Sequence, residues 1–117
     1  MEPARAAELL AAERARVEDQ LRRLGAEFAP DAPEGLADDT DYGDQAADLT
    51  DRERDIGRIE ELREELAAVE RAETRLAEGT YGLSIVSGEP ISDRRLEMIP
   101  TAERTAEEQR LFEQGRL

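Results

Sequence analysis

Residues Gly79–Glu108 read GTYGLSIVSGEPISDRRLEMIPTAERTAEE, a run punctuated by Gly79, Gly82, Gly88, Pro90 and Pro100. Two polar pairs stand out, Ser84-x-x-Ser87 and Thr105-x-x-Glu108. Between them lie Leu83, Ile85, Val86, Ile91, Leu96, Met98 and Ile99. Each of these apolar side chains is worth roughly 1.5–3 kcal/mol if fully buried. The whole chain has no cysteine and no histidine, which excludes disulfides and thiol chemistry.

The frame GTYG-x-S-x-x-S-GEPI, then RLE-x-IP-TA-x-x-T-x-x-E, resembles the C-terminal signature of the DksA/TraR family of bacterial transcription regulators. Gly79, Tyr81, Gly82, Gly88, Pro90, Ile91, Arg95, Leu96, Glu97, Pro100 and Ala102 stand at the family spacing. Members usually carry cysteines where this chain has Ser84, Ser87, Thr105 and Glu108. The resemblance therefore implies a degenerate zinc-finger-like module with its four ligand positions altered. A structural zinc site needs four soft or borderline ligands such as thiolate or imidazole. Zinc contributes on the order of 10 kcal/mol to a small module, so a metal-free module needs another source of stability. The expectation is a globule without zinc or any other metal, packed on a helix and held by the seven apolar residues.

Upstream, Met1 to Leu24 reads as a helix of about 33 Å. Pro3 suits its first turn, and Gly25 after Arg22 and Arg23 suits its stop. Ala7, Leu10, Val17, Leu21, Leu24 and Phe28 form a heptad-like seam broken at Arg14. A second helix is expected from about Asp44 to Glu78, roughly 50 Å long. Leu49, Ile56, Ile59, Leu62, Leu66, Val69, Ala72 and Leu76 line one of its faces. Two such seams joined by a turn make an antiparallel hairpin whose pairing supplies most of the stability. A final helix is expected over Thr101–Arg116, with Thr101 as N-cap and no capping box. The fold class is then mainly all-α: a long antiparallel coiled-coil hairpin over residues 1–78, and the cysteine-less module with its C-terminal helix over residues 79–117.

The connecting stretch, near residues 26–48, is punctuated by Pro30, Pro33 and Gly35. No basic residue occurs from Leu24 to Asp51, while nine carboxylates do: Glu27, Asp31, Glu34, Asp38, Asp39, Asp41, Asp44, Asp48 and Asp51. Composition alone describes a solvated turn; the sharper alternative is an acidic tip presented to a partner. Within it, Asp41-Tyr42-Gly43-Asp44-Gln45-Ala46 fits D-x-x-D-x-A, which resembles the tip motif of DksA-type members.

Bulk composition restricts the function classes. Charged residues make up 39% and aromatics 3% of the 117 residues, which suits long helices with a narrow apolar seam better than a thick interior. The net charge of −14 opposes binding to naked nucleic acid, which needs clustered cations. It favours a basic protein partner or a cation. No stretch is apolar enough to span a bilayer and no secretion signal is visible, so the cytoplasm is the expected location. Without histidine, cysteine or a walled pocket, enzymatic catalysis is not expected.

The family resemblance implies a regulator that inserts its coiled coil into the secondary channel of bacterial RNA polymerase, core or holoenzyme. It implies no sequence-specific DNA recognition, and a monomer is expected. Asp41 and Asp44 would make electrostatic contacts near the polymerase active centre, and Ala46 would permit close approach. The plain alternative for these residues is a turn whose acids favour a helix N-terminus. The resemblance also implies ppGpp as an effector. Some responsive members carry Arg at the position of Ile99, and helix two offers only Ala67 and Ala68 where a cation could help hold phosphate. A weak or absent ppGpp response is the expectation. Competing readings are an acidic coiled-coil adaptor or structural protein, and a transcript-cleavage-type factor holding magnesium through tip carboxylates.

Overall fold

The computed structural model describes residues 1–26 and 45–117. Among them are four helices: α1 (Pro3–Arg23), α2 (Gln45–Glu78), α3 (Asp93–Met98) and α4 (Ala106–Glu113). No strand occurs among the described residues, only one isolated antiparallel bridge between Leu83 and Pro90. The class is all-α.

Both long helices stop in the same way. Gly25 and Gly79 adopt positive φ, 76° and 82°. The next residues donate back to the last turn, Ala26 N–H to Leu21 O and Thr80 N–H to Arg75 O. These are Schellman-type closures, in which glycine avoids the left-handed penalty of a Cβ.

The chain divides into two compact units. The first comprises Met1–Arg14 and Ala67–Leu117, the second Ala15–Leu66. In the second unit Val17 and Leu21 of α1 pack with Leu62 and Leu66 of α2, and Leu24, Ala26 and Ile59 lean on that cluster. Arg16 pairs with Glu65 at 2.7 Å and Arg58 donates to Gln20 at 2.8 Å, so the two helical segments run antiparallel. Pairs this exposed contribute only about 0–1 kcal/mol each; the apolar contacts dominate.

In the first unit Ala6, Leu10, Val69 and Ala72 are fully buried. Of the two adjacent alanines on α1, Ala6 is buried and Ala7 exposed, one position away from the seam read in the sequence. Arg14, the break in that seam, grips Glu73 through two nitrogens at 2.7 and 3.1 Å. Its charge is thus paired within the helix pair. A separate cluster of Ile91, Leu96 and Ala102 carries Met1 and Tyr81 against it. The Tyr81 hydroxyl donates to Pro100 O at 2.8 Å, and burial raises its pKa.

Two local features differ from the sequence reading. Helix α3 has Ser92 as N-cap, its hydroxyl accepting from Arg95 N–H. That short helix was not anticipated. The last helix starts at Ala106 and not at Thr101, because Thr105 is the N-cap of a complete capping box with Glu108. Ala102, expected inside the helix, is instead a buried member of the module's apolar cluster.

Candidate functional site

The knuckle between Leu83 and Pro90 is built mainly from backbone hydrogen bonds. Ser84 N–H donates to Glu89 O at 2.8 Å, Gly88 N–H to Ser84 O at 3.0 Å, and Ile91 N–H to Gly82 O at 2.7 Å. The Ser84 side chain is buried and sits at the centre. Its Oγ accepts from the N–H groups of Val86 and Ser87, at 3.0 and 3.2 Å, and donates to Glu108 Oε1 at 2.5 Å. Across from it, Thr105 N–H donates to Glu108 Oε1 at 2.9 Å, and Glu108 N–H donates to Thr105 Oγ1 at 3.1 Å. The hydroxyls of Ser84 and Ser87 and the Thr105 N–H hold the Glu108 pKa down to about 2.

Ser84, Ser87, Thr105 and Glu108, the four positions expected to correspond to family cysteines, thus come together in one hydrogen-bonded clasp. They do not fit zinc. All four offer oxygen, only one carries charge, and the Ser84 oxygen has its one proton and both lone pairs engaged. Among the described residues no group of three or more His, Cys, Asp or Glu is arranged to hold a metal.

The apolar support expected for this module is largely not there. Ile91 and Leu96 are buried, but Leu83, Ile85, Val86, Met98 and Ile99 are exposed, Met98 by 75%. The physical reason is the tight backbone of the knuckle: Ser84 turns inward to the clasp, and its neighbours on either side point outward. Polar contacts and a smaller apolar cluster take the place of the expected one.

A second polar anchor ties the knuckle to α2. Ile85 N–H donates to Glu103 O at 2.9 Å. The Glu103 carboxylate meets Arg71 at 3.0 Å and Arg75 at 2.9 Å. Burial pushes the Glu103 pKa up, but the two guanidinium groups outweigh it and the net shift is downward. On the other side, Arg5 grips Glu97 through two nitrogens at 2.6 and 2.8 Å.

Ala68 and Ile99, the positions singled out for lacking a cation, line one cleft of about 520 Å³. Arg95, Arg104 and Arg110 line it too, with Glu103, Gln109 and Glu113. Arg95 Nε donates to Arg104 O at 3.0 Å, Arg104 lies 3.8 Å over the Phe112 ring while its buried Nε has no hydrogen-bond partner, and Arg110 pairs with Glu107. Asp41 and Asp44 lie outside the described residues. Ala46 is in the first turn of α2, and its side chain is also outside them.

A solved structure of transcription factor DksA2 from Pseudomonas aeruginosa superposes with a TM-score of 0.77 at 27% identity, covering 98% of this chain and 86% of that one. The RNA polymerase-binding transcription factor DksA of Caulobacter vibrioides is 34% identical over 73 residues. The chain is DksA/TraR-like in sequence and in fold. An uncharacterized protein of Bacillus subtilis, YteA, is 44% identical over 69 residues. The DksA-like chain spans about half the length of the Caulobacter relative and under a third of YteA, 51% and 29%. No protein-family profile matches it.

Sequence reasoning missed the clasp as a structure, though it had all four residues. The signal was present: Thr105-Ala106-Glu107-Glu108 has the form T-x-x-E of a capping box. Glu103 as an anchor had no such signal, because its partners Arg71 and Arg75 are 28 or more residues away.

Proposed function

We propose that this chain binds bacterial RNA polymerase and regulates transcription, with the acidic segment containing Asp41 and Asp44 entering the secondary channel. The observation that carries the proposal is the likeness to a transcription factor structure across nearly the whole chain. A relative named as RNA polymerase-binding supports the same partner. The net charge of −14 adds a physical reason, since an acidic chain is drawn to a basic entrance and repelled by DNA. The chain acts without reading DNA sequence and without a catalytic group of its own. No described helix is long and apolar enough to cross a membrane; a cytoplasmic monomer is part of the proposal. Because Ala68 and Ile99 are neutral where a cation could help hold phosphate, response to the effector ppGpp is weak or absent.

The test is a pull-down with core RNA polymerase combined with transcription from a short-lived promoter complex. The variant Asp41→Asn/Asp44→Asn is expected to bind polymerase yet lose its effect on transcript yield. Regulation by this variant at the level of the parent chain would refute the role of the acidic segment. Absence of any polymerase binding by the parent chain would refute the proposal as a whole.

A further inference from the structure

We infer that the clasp of Ser84, Thr105 and Glu108 does the folding work that a bound zinc ion does in cysteine-bearing members of the family, so that this chain keeps its module folded when zinc is withdrawn. The inference rests on the module's own geometry and is independent of the polymerase reading.

Three observations carry it. First, the clasp is a cross-link between distant segments. Ser84 is on the knuckle and Glu108 on α4, with 24 residues of separation, and one hydrogen bond of 2.5 Å joins them. Each end is itself tied locally, the serine oxygen to two backbone N–H groups and the carboxylate to the helix cap. A metal held by one pair of ligands from each segment would connect the same two places.

Second, the donors and acceptors at the centre are used up. A serine hydroxyl has one proton and two lone pairs, and all three are engaged in a side chain only 5% exposed. A zinc ion entering there would have to displace backbone N–H groups from Ser84 and open the capping box of α4. Hydroxyl oxygen gives little in return, because it is a poorer zinc ligand than thiolate or imidazole. The site is occupied by its own side chains.

Third, burial does not hold the knuckle. Leu83, Ile85 and Val86 are exposed by 39%, 52% and 47%. Besides the clasp, the ties from the knuckle to the rest of the module are polar, chiefly Ile85 N–H to Glu103 O, or belong to the Ile91, Leu96 and Ala102 cluster beyond it. The charge on Glu108 makes its bonds stronger than neutral ones, which suits a single carboxylate replacing a metal centre. With no thiolate present, oxidants have no ligand to remove.

The experiment is thermal melting of the full chain followed by circular dichroism, with zinc, with a strong chelator, and with neither, alongside elemental analysis of the purified protein. The expected result is one melting temperature in all three conditions and no stoichiometric zinc. Glu108→Ala is expected to melt lower than Thr105→Ala, since the latter loses the cap but keeps the bond to Ser84. The variant Ser84→Cys/Ser87→Cys/Thr105→Cys/Glu108→Cys is expected to melt low with chelator and to recover with zinc. A chelator-induced drop in the parent chain, or bound stoichiometric zinc, would overturn the inference. So would a Glu108→Ala protein no less stable than Thr105→Ala, or a four-cysteine variant indifferent to zinc.

Discussion

Ser84 shows how much one small hydroxyl can carry when it is buried. Replacing it by alanine removes a single oxygen but takes one partner each from the Val86 and Ser87 N–H groups and the Glu108 carboxylate. A net hydrogen bond is worth about 0.5–1.5 kcal/mol, and about 1.5–3 kcal/mol to a charged group, so Ser84→Ala is expected to lower unfolding stability by roughly 1–3 kcal/mol in a urea titration. Thr105→Ala removes an N-cap and is expected to cost about 1 kcal/mol by the same measurement. Glu108 adds a pH dependence whose sign is determined. Its folded pKa of about 2 lies below the ordinary 4.5, so the native state favours the ionised form. The stability it contributes is complete above pH 4.5 and is lost as pH falls toward 2. Glu103, also shifted down, acts in the same direction. Melting temperature followed from neutral pH into acid should therefore fall across this window, and less so in Glu108→Gln. These residues were visible in the sequence, but as positions where ligands were missing. Their mutual bonding depends on the knuckle and the first turn of α4 being brought together, and spacing alone does not state that distance.

At the scale of elements, α2 is the long helix, 34 residues from Gln45 to Glu78, and Gly57 lies within it. A Cβ built on Gly57 meets nothing within 4 Å, and its φ is not in the left-handed region. Gly57→Ala is accordingly expected to stabilise the chain by roughly 0.5–1 kcal/mol, through lower backbone entropy of the unfolded state and better helix propensity. Leu62 is the contrasting case. It is fully buried among Val17, Leu21 and Leu66, and Leu62→Ala is expected to cost about 2–5 kcal/mol. Denaturant midpoints of the two variants should move in opposite directions. The extents of α1 and α2 were legible to within two residues because proline, glycine and apolar spacing all pointed the same way. The choice of Ala6 over Ala7 was not: both fit a three-or-four spacing from Leu10, and only the facing helix selects between them. Helix α3 escaped notice for a related reason. Six residues are too few for a periodic signal, and its cap, Ser92, looks like one more loop serine.

For the molecule as a whole, charge is the dominant property. Thirty acidic residues face sixteen arginines, and many arginines are committed to ion pairs in the helices, such as Arg14 with Glu73 and Arg16 with Glu65. The unpaired excess is therefore negative. Under the proposed function, association with polymerase is expected to slow as ionic strength rises, because exposed charges are screened over about 8–10 Å at 0.1–0.15 M salt. Stopped-flow association at increasing salt checks this; a rate indifferent to salt would remove the electrostatic part of the argument. The same charge makes self-association unfavourable, and a concentration-independent monomer mass by light scattering is the expected companion result.

By itself, the sequence determined the two long helices, the glycine stops, the family resemblance and the absence of any thiol or imidazole ligand, since these depend on residue type and short-range order. Tertiary structure alone decided what closes the knuckle. Whether the knuckle closes on oily side chains or on a serine and a glutamate depends on which way alternate residues turn in a tight backbone, and on the approach of a helix that begins some twenty residues later. Both readings were compatible with the same letters; the burial of Ser84 and the exposure of its neighbours chose between them.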